Sequence, residues 1–340
     1  EPVAPRRAAT VMLVSVENVN YRLYLAMEEN PRVTIVKGEE PAFCLKAVKN
    51  PVEIANTKNA HIKEGVAMAR LQMCLEEKLA AGETVSETDV GELLVDFRKE
   101  QEGYMEDSFA VIAAYGANAA MMHYHPTPEN HAVLQRKGFL LLDTGGQYVD
   151  GTTDTTRTYA LGELTDEERR YYTYVLKANI GIARTVFMEG CSGANLDIMS
   201  RTQIWKYGLD YRCGTGHGVG FVGPIHEGPQ SLRMTNHVPF QPGMTITDEP
   251  GIYEEGLVGV RIENELLVVE HMETKYGKFY AFQPITYLPI DTTPVVLELM
   301  NEEEISWLND YHQMVYDTLS PRMTERERIW LKEKTKPLEK

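Results

Sequence analysis

The chain has 340 residues, of which 43% are hydrophobic and 25% are charged, and its formal net charge is −16. Ordinary globular composition at this length predicts one large domain with a smaller piece and allows a substantial buried core. The acidic balance argues against a nucleic-acid partner, which needs a basic footprint. No apolar stretch approaches the ~18 residues that a membrane span requires, so no membrane association is expected.

The cysteines and the first residues bear on the cellular compartment. The chain has four scattered cysteines without a CxxC pair, at Cys44, Cys74, Cys191 and Cys213. This usage favours buried, reduced thiols over disulfides, and therefore a reducing compartment such as the cytoplasm. The polar and charged residues 1–10 do not have the pattern of a signal peptide.

Taken in chain order, the first predicted elements are short strands at residues 10–14 and 32–36, with a short helix at residues 19–28 between them. A long helix is predicted at about residues 51–81, because four of its apolar residues are spaced to share a face: Ile62, Val66, Ala69 and Met73. Gly82 supplies a plausible stop for this helix.

Capping patterns mark the later helices. Ser86 followed by Asp89 predicts one helix start, and Thr165 with Glu168 forms a clearer capping box. The helix after Thr165 is expected to run to about Met188 and to end at Gly190. Further helices are predicted at residues 195–207, 302–319 and 324–334, and strands at residues 109–114, 139–142, 244–247 and 266–269. Helices packed on a sheet without strict βαβ alternation favour the α+β class.

Several familiar catalytic motifs are excluded by single residues. The glycine run from Gly214 to Gly220 is not GxGxxG, because Val219 occupies the third glycine position. Ser192 does not lie in a nucleophile elbow, because Ala194 stands where the second glycine belongs. The chain also contains neither GxxxxGK[ST] nor HExxH. Dinucleotide, P-loop, zincin and serine-hydrolase functions therefore lose their main support.

Two aspartates bracket a predicted hairpin. An apolar strand at residues 139–142 leads into Asp143, and Asp154 follows eleven residues later. If the chain turns back at Tyr148 and Val149, cross-strand partners have numbers that sum to about 297, and the two aspartates face each other. Opposed like charges destabilise a sheet unless a cation lies between them. The alternative is a pair of exposed aspartates near glycine turns.

Two glutamates repeat this arrangement. A turn centred on Gly256 places Glu249 opposite Glu263, and both lie next to apolar strand segments. Carboxylates at such positions are rarely fully buried unless they are paired or bound to metal. Two hairpins with opposed carboxylates therefore indicate a metal site.

Histidine completes the predicted donor set. His217 lies in a glycine-flanked turn that permits close approach of a metal or a substrate. Four carboxylates and one imidazole suit a dinuclear site for Mn²⁺, Co²⁺ or Zn²⁺, and the lack of thiolates favours manganese. His123 and His226 are further site candidates. The remaining histidines outside these motifs are interpreted as structural: His61, His131, His237, His271 and His312.

The ordered series Asp143, Asp154, His217, Glu249 and Glu263 resembles the five-ligand signature of the pita-bread metallopeptidases, the fold of methionine aminopeptidase, prolidase and aminopeptidase P. The segments HGVG, EPGIY and VRIEN match this family, from about residue 46 to the C-terminus. The pieces HYHPTPEN, GTGHGVG, HEGP and WLNDYH…WLKEKTKP are similar to the three-domain aminopeptidase P branch.

This resemblance divides the chain into two parts. Residues 1–45 look like the C-terminal remnant of that branch's middle domain, an α/β domain. Residues 46–340 look like the pita-bread catalytic domain with a C-terminal helical tail. The first domain and most of the second are then expected to be absent from this chain.

The resemblance implies a role for each metal donor. Asp143 would chelate one ion, and His217 and Glu249 would bind the other. Asp154 and Glu263 would bridge the two ions. A hydroxide held between the ions would attack the carbonyl of the first residue, and one ion would bind the free amino group.

Other roles implied by the resemblance concern the proton and the substrate. Glu249 would handle the proton during attack. His123 and His226 would stabilise the tetrahedral intermediate and place the proline. Arg261 is expected to pair with a ligand carboxylate or with its neighbour Asp248, and Tyr253 to donate a hydrogen bond nearby.

The expected substrate is a peptide with a free N-terminus and proline in the second position. A peptide bond to proline has no N–H to donate, and the proline ring fixes φ, so ordinary proteases bind such a bond poorly. Two departures from the family's pattern stand out: His125 replaces an expected small polar residue, and the missing N-terminal region helps to shape the substrate end and the homodimer in the family. Three other functions remain in view: a prolidase acting on dipeptides, a metal-free creatinase-like enzyme, and a non-catalytic peptide-binding module.

Overall fold

The computed structural model describes residues 9–16, 18–38 and 40–340. The chain separates into two compact units, Glu1–Lys46 and Ala47–Lys340. In the first unit, strands β1 (Thr10–Val14) and β2 (Val33–Lys37) pair in parallel, and helix α1 (Tyr21–Glu28) connects them. The predicted elements are confirmed here with shifts of one or two residues, because the Asn20 side chain caps the helix at Arg22 N–H. Helix α2 (Pro41–Ala47) follows.

The second unit contains the long helices of the chain. They are α3 (Pro51–Ala80), α4 (Glu87–Lys99), α5 (Asp166–Ala183), α6 (Gly193–Trp205), α7 (Glu302–Leu319) and α8 (Glu325–Lys334). Short 3₁₀ segments lie at Gly116–Ala120, Leu297–Leu299 and Ser320–Arg322. The helix starts predicted at Ser86 and Thr165 are confirmed, and each has a capping box. The hydroxyl of the capping residue accepts from the backbone N–H three residues later, and the side chain of that later residue, Asp89 or Glu168, accepts from the backbone N–H of the capping residue.

Helix α3 is long because both of its ends are well formed. Asn50 and Glu53 form a capping box at its start, and Gly82 adopts φ +76° just after its end, as predicted. The sequence predicted one buried apolar face for this helix, but more of its surface is buried than that face. Ala60, His61 and Lys63 are buried together with Val66 and Ala69, whereas Ile62 and Met73 of the predicted stripe are half-buried.

One predicted helix boundary is wrong. The helix that begins after Thr165 ends at Ala183 rather than near Met188. Residues Val186–Met188 instead form strand β9, which pairs with a strand at Gly277–Pro284. Sheet pairing overrides the helical periodicity of this apolar segment, since short apolar runs are compatible with either structure.

The strands between these helices form small sheets. They are β3 (Tyr104–Asp107), β4 (Ile112–Tyr115), β5 (Phe139–Thr144), β6 (Gly146–Tyr148), β7 (Gly151–Thr152), β8 (Thr155–Ala160), β9 (Val186–Met188), β10 (Gly216–His217), β11 (Ser231–Leu232), β12 (Thr245–Asp248), β13 (Gly251–Glu254), β14 (Val258–Arg261), β15 (Asn264–Thr274) and β16 (Gly277–Pro284). The predicted strand at residues 109–114 begins three residues later, at Ile112.

The sheet order shows how distant segments meet. One sheet has the order β12-β15-β16-β9 and another the order β4-β5-β8, while β3-β6-β7, β10-β11 and β13-β14 form smaller groups. Antiparallel pairing within the second unit, combined with helices, confirms the α+β class. Within the described part of the chain, no helix combines the length and apolar character that crossing a bilayer requires.

Candidate metal centre

A cavity of about 290 Å³ collects most of the residues that the sequence singled out. Its lining residues are Phe109, Ala110, Ile112, Met122, His123, His125, Asp143, Asp154, Cys213, His217, Ile225, His226, Glu249, Tyr253 and Arg261. Glu263 lies beside it, in a group with Asp154 and His217 whose ligand atoms are within 4.8 Å of one another. The cavity is therefore lined by both polar donors and apolar side chains.

The first hairpin differs from its predicted register. Asp143 pairs with Thr156 rather than with Asp154, and the chain turns at Val149 and Asp150, one residue later than predicted. The shift of two positions preserves the alternation of side chains, so Asp154 lies on the face of Asp143 as its diagonal neighbour. Both aspartates are almost fully buried.

The register of the second hairpin is confirmed. Asp248 pairs with Asn264 and Gly251 pairs with Arg261, which brackets Glu249 opposite Glu263. Between these pairs the two backbones separate. The Glu249 N–H donates to the Thr215 carbonyl at 2.8 Å, and the Glu263 N–H donates to the Thr156 carbonyl at 3.1 Å. These two hydrogen bonds connect the glutamate hairpin to the segment that leads into β10, which carries His217, and to β8, which directly follows Asp154.

His217 is held between close backbone segments. A side chain at Gly216 would overlap the Thr247 carbonyl, and one at Gly218 would overlap the Glu227 carbonyl. The Nδ1 atom of His217 contacts the Gly218 carbonyl at 3.0 Å. Donation from Nδ1 leaves Nε2 with its lone pair directed to the acidic side chains. Nε2 lies 3.4 Å from an Asp154 oxygen and 3.3 Å from a Glu249 oxygen.

The electrostatics of this cluster fit divalent cations. Burial and the charges of Glu263 and Asp143 raise the pKa of Asp154, while burial and the charges of Glu249 and Asp143 raise the pKa of Glu263. Burial also raises the pKa of Glu249 to about 7, against the opposing charge of Arg261. Asp143 Oδ1 and Glu263 Oε1 are buried without a hydrogen-bond partner among the described residues. Unpaired oxygens among crowded carboxylates are a donor set that a divalent ion would satisfy.

Arg261 lies at the edge of this cluster. Its Nη2 donates to Asp143 Oδ2 at 2.5 Å, its Nη1 to the Tyr253 hydroxyl at 2.7 Å, and its Nε to the Thr156 hydroxyl at 3.1 Å. The expectation that Arg261 pairs with a carboxylate of the donor set is met by Asp143, not by Asp248. The Tyr253 hydroxyl accepts a hydrogen bond from Arg261, whereas the sequence predicted that Tyr253 would donate one. Asp248 is buried, and neither of its carboxylate oxygens has a described partner.

Histidines occupy the rim of the cavity. His123, His125 and His226 are exposed lining residues, and the His226 ring meets the His217 ring edge to face at 4.1 Å. Burial and the neighbouring His217 lower the pKa of His226, which favours its neutral form.

The histidines interpreted as structural do not line the cavity. His61 contacts Glu265 at 2.8 Å, and the His312 ring accepts from the Ile290 N–H. His131, His237 and His271 are likewise absent from the lining residues.

Sequence reasoning missed several residues of the cavity and its surroundings. Thr156 donates to Glu263 Oε2 at 2.8 Å, and its position two residues after Asp154 was the available signal. Cys213 and the apolar residues Phe109, Ile112, Met122 and Ile225 carried no signal. Their side chains meet across long sequence separations, which local patterns do not encode. The four cysteines, all within the described part of the chain, form no disulfide, but they are half-buried and not buried as predicted.

The sequence of this chain is similar to that of known metallopeptidases. A family model described as metallopeptidase family M24 matches residues 55–270, and one described as the C-terminal region of peptidase M24 matches residues 278–338. The chain is 41% identical to aminopeptidase P2 of Arabidopsis thaliana, covering 89% of this chain and 43% of that protein. It is 39% identical to Xaa-Pro aminopeptidase 1 of Dictyostelium discoideum, covering 88% and 49%. The chain spans about half the length of these curated relatives.

Solved structures share the architecture. The X-prolyl aminopeptidase of Caenorhabditis elegans, described as a cytosolic enzyme with a di-nuclear active site, has a TM-score of 0.90 at 33% identity and covers 97% of this chain and 54% of that one. The Xaa-Pro dipeptidase of Bacillus anthracis has a TM-score of 0.66 at 29% identity and covers 82% and 73%. The predicted pita-bread fold is thereby confirmed.

Proposed function

The chain belongs to metallopeptidase family M24, and from this premise we propose that it is a metal-dependent aminopeptidase that releases the first residue from peptides whose second residue is proline. The observation that carries the proposal is the gathering of four carboxylates and one imidazole around one cavity. The relatives named aminopeptidase P support the same activity.

The proposed metal ligands are the five donors of the cluster: Asp143, Asp154, His217, Glu249 and Glu263. They would hold two divalent ions, and the excess of carboxylate over nitrogen and the lack of thiolate ligands favour manganese over zinc or cobalt. When bound, the ions supply Lewis-acid polarisation of the scissile carbonyl and lower the pKa of water.

The chain's own residues supply the proton chemistry. Glu249 lines the cavity with one carboxylate oxygen beside His217, so its carboxylate can accept a proton from a water held there and return it. We propose that Glu249 removes the proton from the attacking water and then delivers this proton to the proline nitrogen. That nitrogen carries no hydrogen in the peptide and must be protonated before it can leave. The Thr247 hydroxyl donates to Glu249 Oε1 at 3.0 Å and orients the group.

The rim of the cavity would hold the peptide. Neutral His226 and the exposed His123 can donate to the carbonyl oxygen as negative charge develops on it. Three apolar lining residues, Phe109, Ile112 and Ile225, provide a surface for a proline ring. Arg261 would act through Asp143 rather than on the peptide, because it donates to that carboxylate, and Tyr253 would act through Arg261, from which its hydroxyl accepts.

A charge argument favours peptides over dipeptides. Arg261 is the only lysine or arginine among the described residues that line the cavity, and its donors are used by Asp143, Tyr253 and Thr156. A dipeptide would place its terminal carboxylate near the acidic cluster, where the cavity lining offers it no unpaired lysine or arginine. A longer peptide carries that charge away from the cavity. This reasoning supports the aminopeptidase over the prolidase alternative.

The two units of the chain have different proposed roles. Residues 46–340 would form the catalytic domain, and residues 1–45 an element of a separate domain. The parallel strand pair exposes the apolar side chains Val11, Leu13 and Val36, although parallel sheets are ordinarily covered on both faces. This exposure supports the proposal that the strand pair belongs to a different domain from the catalytic one. A cytoplasmic location agrees with the absence of disulfides among the four cysteines and with the cytosolic description of the nematode protein. Homodimer formation stays part of the proposal.

Hydrolysis of Arg-Pro-Pro, Arg-Ala-Ala and Arg-Pro, in EDTA and after addition of Mn²⁺, tests the proposed function. We expect metal-dependent release of arginine from Arg-Pro-Pro alone. Cleavage confined to Arg-Pro would turn the assignment to a dipeptidase. Absence of cleavage with two bound metals per chain would support a binding module, and absence of both cleavage and metal binding would overturn the metal centre itself.

A further inference from the structure

We infer that Glu87 is a positioning residue that holds the segment carrying His123 and His125 at the mouth of the cavity. Glu87 is the first residue of α4, and it is 0% exposed. A carboxylate so deeply buried is stable only if its oxygens are well supplied with donors. The catalytic part of this inference rests on the proposed function, whereas the structural part does not.

Both oxygens of Glu87 accept hydrogen bonds from one stretch of chain. Oε1 accepts from the Tyr115 N–H at 2.6 Å and from the Asn118 amide at 3.0 Å. Oε2 accepts from the Tyr124 hydroxyl at 2.8 Å and from the Ala132 N–H at 2.7 Å. All four donors are neutral, so the bonds hold the segment by geometry rather than by ion pairing.

The donors bracket the two histidines. Tyr115 and Asn118 precede them, Tyr124 lies between them, and Ala132 follows. His123 and His125 are exposed cavity residues, whereas Tyr124 is 5% exposed. The amide of Asn118 also donates to the Tyr124 oxygen at 3.0 Å. Tyr124 therefore anchors the middle of the segment to Glu87 while its neighbours face the cavity.

A simple capping role does not account for Glu87. An acidic residue in the first turn of a helix interacts favourably with the helix dipole. The cap of α4 is already formed by Ser86 and Asp89, and the hydrogen bonds described for the Glu87 carboxylate all reach residues 115–132. Glu87 thus links a rigid helix to a segment that carries two rim histidines.

The variant Glu87→Gln removes this function with little change in shape. An amide nitrogen would face donors at whichever oxygen it replaces, because both oxygens accept from N–H groups. We expect kcat on Arg-Pro-Pro to fall by about 10- to 100-fold, because small displacements of substrate-positioning groups have effects of this size. Metal affinity should stay unchanged, since none of the five proposed ligands lies on residues 115–132. Tyr124→Phe should give a smaller loss in the same direction.

The matched control is Glu92→Gln, which makes the same charge change at an exposed position of the same helix. Hydrogen–deuterium exchange of the whole chain provides a readout that does not need activity. We expect Glu87→Gln to speed exchange in residues 116–132 and to leave β5 and β8 unchanged. Equal behaviour of the two variants, or faster exchange spread evenly over β5 and β8, would overturn the inference. If the unmodified chain cleaves no Xaa-Pro peptide, the proposed function fails, and the exchange comparison still decides the role of Glu87.

Discussion

Arg261 donates to Asp143 at 2.5 Å, and this contact places a permanent positive charge against one member of an otherwise acidic cluster. Both side chains are almost fully buried. The pair balances part of the charge that Asp143 shares with Asp154, Glu249 and Glu263. It also uses only one oxygen of Asp143, so the other stays available as a ligand.

Replacement of this arginine should destabilise the metal-free protein. Arg261→Met leaves the buried Asp143 without its ion pair, which typically lowers the free energy of unfolding by about 3–5 kcal/mol. Urea unfolding in EDTA measures this change. The control Arg184→Met removes an arginine from a more exposed ion pair with Glu303 and should change the free energy by about 0–1 kcal/mol. Equal effects of the two variants would contradict the assigned role of Arg261.

Thr156 should tune metal affinity without being a ligand. Its hydroxyl donates to Glu263 Oε2 and leaves Oε1 unpaired. Thr156→Val removes that donor at constant volume and should weaken binding of Mn²⁺ by about 10- to 100-fold, as expected for groups that orient a ligand. Isothermal titration calorimetry measures the affinity. Thr156→Ser keeps the hydroxyl and should restore most of the binding, and a serine variant as weak as the valine variant would argue against orientation by the hydroxyl.

The stability of the metal-free protein should fall as pH rises through neutrality. The pKa values of Asp154, Glu249 and Glu263 are raised in the folded state, so their contribution is fully present below the ordinary carboxyl pKa and is lost as pH rises through the folded values. For Glu249 this window extends to a pKa of about 7. His217 and His226 have lowered pKa values and act in the opposite direction, at lower pH.

We therefore expect the free energy of unfolding in EDTA to drop by about 1 kcal/mol or more between pH 6 and pH 8, the interval that spans the pKa of Glu249. Urea titrations at both pH values measure it. Glu249→Gln should show a shallower decline, and saturating Mn²⁺ should abolish it because the bound ions favour the ionised carboxylates. A stability that rises with pH in EDTA would show that these carboxylates are not crowded in solution.

His226 should matter for turnover and not for metal binding. It contacts His217 at the cavity rim but is not one of the five proposed ligands. His226→Ala should reduce kcat by about 10²- to 10³-fold if it donates to the developing oxyanion. The matched control is His237→Ala, at a histidine that does not line the cavity, and it should leave kcat unchanged. A His226→Ala variant with lower metal content and normal kcat per bound metal would assign the residue to the metal site instead.

The sequence by itself identified the five proposed donors that the structure brings together, and it predicted the register of one of their two hairpins. Gly256, at φ +73°, permits the turn that places Glu249 opposite Glu263, and apolar segments on either side favour that register. The Asp143–Asp154 register was predicted two positions away from the true one, because the residues at the turn, Tyr148 to Asp150, do not specify a unique two-residue loop. Alternation still placed both aspartates on one face, since an even shift preserves it.

Only the tertiary structure decided which groups support those donors. The contacts of Arg261 with Asp143, of Thr156 with Glu263, and of Glu87 with Tyr124 join residues 37 to 118 positions apart. The periodicity of a sequence reports which face of its own element a side chain occupies, and hairpin pairing reports its partners across one turn. Neither pattern reports which distant element packs against that face, because this depends on the packing of the whole domain.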